Sequence, residues 1–119
     1  TIEQEILQLR ANGIAEQRAA VTVDPELART YLDFLASLAS IPFAGIRLVM
    51  DCGNGAAYRL GPELFQRLGA DVTTLCAQPN GRNINLECGA LHLQKLQAAV
   101  VEQHADLGVA FDGDADRCF

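Results

Sequence analysis

Apolar positions along the chain change their period several times, and each change marks an element. Residues 2–9 carry Ile2, Ile6 and Leu9 at helical spacing, and Asn12-Gly13 stops the pattern. Residues 14–23 have no clear period and read as a connector. A stronger helix opens at Asp24: its side chain suits the N-cap, Pro25 the first helical position, and Glu26 the positive end of the helix dipole. Leu27, Tyr31, Phe34, Leu35 and Leu38 follow as one apolar stripe, and 40–45, with Pro42, ends the helix. Residues 46–50 are nearly all apolar, as expected of a strand covered on both faces. A turn over 51–57 leads into Leu60, Leu64 and Leu68 at helical spacing, with Gly69 as C-cap. Residues 72–76 read as a second strand and 78–90 as a long polar loop. Leu93, Leu96 and Val100 mark another helix, and 107–111 a third apolar strand.

Strands alternating with amphipathic helices predict an α/β fold. The expected architecture is a three-layer α/β/α domain with a mostly parallel, mixed sheet of about four strands. In such sheets ligands bind beyond the carboxyl ends of the strands. The turn at 51–57 and the segment after residue 111 both fall on that edge.

Composition narrows the function. The chain has 119 residues, 50% hydrophobic and 20% charged, enough for one domain with a core. A net charge of −6 argues against nucleic acid or an anionic membrane surface as partner. No apolar run approaches a membrane span and no secretory pattern is present. The cysteines, Cys52, Cys76, Cys88 and Cys118, have no C-x-x-C spacing and read as reduced thiols of a cytoplasmic protein. Cys88 and His92 stand four apart, but with no second such pair a metal there is not expected.

The segment Phe111 to Arg117, FDGDADR, carries the candidate chemistry. Asp112, Asp114 and Asp116 stand at alternate positions with only Gly113 and Ala115 between them. At about 5 Å, two such charges repel by roughly 3 kcal/mol at an effective dielectric near 20, which a bound cation or a proton must offset. Oxygen ligands without nearby His or Cys favour Mg²⁺, Mn²⁺ or Ca²⁺ over zinc. Alternate residues of an extended turn point one way, and small spacers let the backbone fold tightly. Arg117 is placed to meet a phosphate oxygen by paired hydrogen bonds. An EF-hand needs Gly where Arg117 stands and a later Glu, so it does not fit. The D-x-D of a haloacid-dehalogenase-type phosphatase fits Asp112 and Asp114, but Ala115-Asp116-Arg117 departs from the rest of that loop. A solvated acidic turn without ligand is the plain alternative.

FDGDADR resembles the D-G-D-x-D-R metal loop of the α-D-phosphohexomutases, which include phosphoglucomutases, phosphomannomutases and phosphoglucosamine mutases. VMDCGNGAA with LGPELFQRLGAD resembles the opening of that family's second domain, and residues 78–117 its remainder. The stretch from Asn83 to His92, NINLECGALH, resembles the phosphoglucosamine mutase branch. The resemblance implies residues 23–119 as domain II, cut at its last strand, and 1–22 as the exit from a preceding domain. It implies a phosphosugar mutase that interconverts glucosamine 6-phosphate and glucosamine 1-phosphate through a phosphoserine and a bisphosphate intermediate. By residue match, Asp112, Asp114 and Asp116 would hold Mg²⁺, and Arg117 would contact the phosphoserine phosphate. Partners would be the hexosamine phosphate and the other domains of the parent chain. Lacking a counterpart of the serine loop, the 119-residue chain is expected to have no turnover of its own. The remaining alternatives are phosphomannomutase or phosphoglucomutase specificity, and a non-catalytic acidic module that binds a cation.

Other features have plainer readings. The DCGNGAA turn lacks the dinucleotide pattern and reads as a tight strand-to-helix connection, with Asp51 capping the helix or supporting the site. Asn83, Asn85 and His92 read as hydrogen bonders that order their loop. His104 reads as a solvated helix-end residue.

Overall fold

The computed structural model of the chain describes residues 1–12 and 22–119; most of the connector expected at 14–23 therefore lies outside the described residues. Helix α1, Ile2–Asn12, buries none of its residues. Helix α2, Pro25–Leu38, begins as its sequence dictates, with the Asp24 side chain accepting from the Glu26 N–H at 2.9 Å. Then follow β1 (Arg47–Asp51), α3 (Ala57–Arg67), β2 (Asp71–Leu75), a 3-10 turn (Gly89–Leu91), α4 (Gln94–Glu102) and β3 (Leu107–Ala110).

Among the described residues the sheet has three strands, ordered β2-β1-β3, all parallel. Where a mixed sheet of about four strands was expected, the antiparallel component is an isolated bridge between Phe111 and Cys118. Central β1 accounts for the architecture. Leu48 and Met50 point to one face, into a cluster with Cys52 and Ala57 that Phe65 of α3 covers. Val49 points to the other, into a cluster with Leu96 of α4 and Ala110. Leu48, Val49 and Met50 are all buried, which explains why the strand reads as a continuous apolar run.

Helix α2 departs from expectation. Leu27, Tyr31, Phe34 and Leu38 of the apolar stripe are exposed, and Leu35 is half-buried. The one buried residue is Leu32, flanked by half-buried Ala28, Ala36 and Ala39. The helix packs on α3, and an Asp33–Arg67 ion pair at 2.9 Å joins the two helices. A face of small residues admits close approach, so packing overrode the larger apolar stripe.

Candidate metal centre

The three aspartates converge, but not through extended alternation. Beyond β3 the chain turns back on itself. The Ala110 N–H donates to the Phe119 carbonyl at 2.8 Å and the Phe119 N–H to the Ala110 carbonyl at 2.9 Å. The Asp112 N–H donates to the Arg117 carbonyl at 3.2 Å, and the Ala115 N–H to the Asp112 carbonyl at 3.3 Å. Ala115 has φ +62°, a left-handed conformation costly for a residue with a Cβ. The tight reversal brings one carboxylate oxygen each of Asp112, Asp114 and Asp116 within 4.8 Å of one another. Oxygens that coordinate a hard divalent ion lie about 3–4 Å apart, so modest side-chain rotation closes the set. Three anionic oxygens without imidazole or thiol fit a hard cation.

Gly113 leaves room for two neighbouring side-chain tips and does not adopt unusual dihedrals. A Cβ there would lie 2.9 Å from Ile84 Cδ1 and 3.0 Å from Asn85 Nδ2. The DCGNGAA turn forms the floor. The Ala56 N–H donates to the Gly113 carbonyl at 2.9 Å, and a Cβ on Gly55 would stand 2.4 Å from that same oxygen. The turn is therefore a buttress for the aspartate loop, a role that its spacing alone did not reveal.

Charge is distributed unevenly across the loop. Asp112 is buried, while Asp114 and Asp116 are exposed. Burial pushes the Asp112 carboxyl up; the Arg117 backbone N–H and the Arg117 guanidinium outweigh it, and the net direction is down. Arg117 Nε lies 2.8 Å from Asp112 Oδ2 and 3.2 Å from Asp116 Oδ1, and these contacts raise its own pKa. The guanidinium thus supplies positive charge to the cluster. The arginine side chain remains 72% exposed and borders a hollow of about 330 Å³ with Asn85, Asp112, Gly113 and Asp114.

Asp51 does not cap α3, whose N-cap is Ala56 without a side-chain bond. Fully buried, it accepts from the Gly53 N–H at 2.8 Å and the Gly89 N–H at 3.0 Å, tying turn and 3-10 segment together. Cys76 and Cys88 also approach Asp51. Burial, with Asp51 and then Cys88, pushes the Cys76 thiol up to about 12, and burial with Asp51 pushes Cys52 up to about 11. These thiols stay protonated at neutral pH, and this cluster reads as structural. His92 is exposed and joins neither of the two potential ligand clusters found among the described residues. Asn83 does order its loop, receiving the Asn80 N–H at 2.9 Å and donating to the Gln78 carbonyl at 2.9 Å.

Comparison with known proteins identifies the family. Residues 29–119 match the family described as phosphoglucomutase/phosphomannomutase, alpha/beta/alpha domain II. A phosphoglucosamine mutase from Solibacter usitatus is 60% identical over 116 residues, covering 98% of this chain and 26% of the relative. One from Pseudomonas fluorescens is 56% identical over 91 residues, covering 73% of this chain and 20% of the relative. The chain thus spans about a fifth to a quarter of the length of these curated relatives. A solved phosphoglucomutase/phosphomannomutase family protein from Burkholderia thailandensis superposes with a TM-score of 0.66 at 31% identity, over 77% of this chain and 20% of that one. A parallel α/β/α layer carrying an aspartate loop at its carboxyl edge, matched over 29–119, makes this chain a member of the phosphoglucomutase/phosphomannomutase family, corresponding to its alpha/beta/alpha domain II.

Proposed function

We propose that the chain is the metal-holding domain of a phosphosugar mutase that interconverts glucosamine 6-phosphate and glucosamine 1-phosphate. The observation that carries this is the convergence of Asp112, Asp114 and Asp116 beside Arg117 at the carboxyl edge of the sheet. Asp112, anchored from two sides by Arg117, is the fixed ligand; Asp114 and Asp116 are exposed and turn to complete the set. The cation is Mg²⁺, which supplies neutralisation of charge on a transferring phosphoryl group. Arg117 keeps Nε on Asp112 and offers its outer N–H groups to a phosphate oxygen.

Glucosamine phosphate specificity draws support from the NINLECGALH stretch and from the names of the two relatives, both phosphoglucosamine mutases. Residues 23–119 are read as domain II and 1–22 as the exit from a preceding domain. The phosphoserine, the sugar and the remaining domains are partners in a longer parent chain, and the 119 residues alone turn nothing over. A cytoplasmic setting belongs to the same reading: the four cysteines are free, and no described helix is long and apolar enough to cross a membrane. The test uses the product of the complete reading frame. It should interconvert the two glucosamine phosphates in Mg²⁺ and lose the reaction with Asp114→Asn. Preference for mannose or glucose phosphates would reassign the specificity, and no activity on any hexose phosphate would favour a non-catalytic cation-binding module.

A further inference from the structure

Three glycines from separate segments surround one carboxamide. A Cβ on Gly53 would lie 2.9 Å from Asn85 Oδ1, and one on Gly89 3.0 Å from the same atom. On the opposite side, a Cβ on Gly113 would lie 3.0 Å from Asn85 Nδ2. The strand-to-helix turn, the 3-10 segment and the aspartate loop therefore each lack a side chain where Asn85 enters. Asn85 is held there by its backbone: φ is +55°, which Asn tolerates better than most residues, and its N–H donates to the Gly53 carbonyl at 2.8 Å. Its Oδ1 is buried and has no hydrogen-bond partner among the described residues. Such an oxygen opposes folding. The left-handed backbone favours Asn over an apolar side chain at this position, and it leaves the other end of the carboxamide facing the aspartate loop.

The polar end that faces the loop is the donor. Nδ2 lies against Gly113, the residue joining Asp112 to Asp114, and Asn85 borders the same hollow as both carboxylates and Arg117. We propose that Asn85 is a positioning residue for the divalent cation. Acting through the Gly113 backbone, it sets the spacing of the Asp112 and Asp114 carboxylates and presents N–H rather than negative charge to them. This rests on the reading that the aspartate loop holds a divalent ion.

The test is Mn²⁺ titration of the 119-residue chain, followed by the electron paramagnetic resonance signal of free Mn²⁺, with the melting temperature of each metal-free variant alongside. Asn85→Asp keeps the shape and tolerates the backbone angle but replaces the donor with a carboxylate. Charge alone would tighten Mn²⁺ binding in that variant; the positioning role weakens it, by tenfold or more, with Asn85→Ala weakening it similarly. Mn²⁺ affinity within twofold of wild type in Asn85→Asp, or tighter, overturns the proposal, and Asn85→Asp decides the matter should Asn85→Ala not fold. Failure of the underlying reading looks different: the wild-type chain itself would bind no Mn²⁺ that Asp114→Asn removes.

Discussion

Replacing Gly55 by alanine tests the coupling between the strand-to-helix turn and the aspartate loop. The added Cβ would stand 2.4 Å from the Gly113 carbonyl oxygen and 2.9 Å from both Gly113 C and Cα. That is short of an ordinary carbon contact by about 1 Å, and the obstacle is backbone, which cannot swing aside as a side-chain tip can. The loop must therefore retreat and stretch the Ala56 N–H bond to the Gly113 carbonyl, now 2.9 Å. Overpacking of this kind costs about 1–3 kcal/mol and the lost hydrogen bond about 1 kcal/mol more. For a chain of this size the sum lowers the melting temperature by on the order of 10 °C. Displacing Gly113 also separates its neighbours Asp112 and Asp114, so Mn²⁺ affinity should fall at least tenfold. Gly61→Ala is the control: its Cβ meets chiefly the Met50 sulfur at 3.1 Å, a yielding partner, and alanine favours the helix. Calorimetric melting and metal titration of both variants provide the assay. A Gly55→Ala protein that melts and binds Mn²⁺ like wild type would refute the buttress.

Asp51→Asn should destabilise the chain by about 2–4 kcal/mol in denaturant titration, because an amide offers one acceptor where the Gly53 and Gly89 N–H groups need two. Arg117→Ala removes the cation that sits 2.8 Å from Asp112 Oδ2; calorimetry should show severalfold tighter Mg²⁺ binding, together with lost affinity for phosphate. The same variant should lose acid resistance. The folded Asp112 carboxyl is held low, so its contribution is present above the ordinary carboxyl pKa and disappears only as pH falls through the lower folded value. At the alkaline end the sign reverses. Cys52 and Cys76 keep their protons in the fold, so stability should decline as pH rises from about 9, the ordinary thiol value, towards 11–12. A thiol reagent at pH 8 should label exposed Cys118 quickly, half-buried Cys76 more slowly, and buried Cys52 and Cys88 only on unfolding.

Much of the framework was legible because local chemistry and tertiary structure agree. Asp24 and Pro25 start α2 as the capping rules require, and the apolar run at 46–50 is a strand covered from both sides. Periodicity failed at the orientation of α2, since which face packs depends on the partner: Leu32 is buried with Ala28 and Ala36 half-buried, while Tyr31 and Phe34 are exposed. At the site, the identity of the three acids was readable but the mechanism of their convergence was not. Left-handed Ala115 and the pairing of Ala110 with Phe119 make the turn, and neither has a strong local signature. Gly55, Gly113 and Asn85 act through contacts spanning dozens of residues. A sequence shows the small or polar residue there, but not the neighbour that requires it.

The central claim, that Asp112, Asp114 and Asp116 form one divalent cation site, is tested most directly by titrating the isotopically labelled chain with Mn²⁺ and following amide signals by NMR. The account predicts that paramagnetic broadening begins at 112–117 and extends next to Gly55, Ala56 and Asn85. Asp114→Asn should abolish it. Broadening that is absent, or that centres on exposed acids elsewhere such as Glu3 and Glu5 of α1, would contradict it.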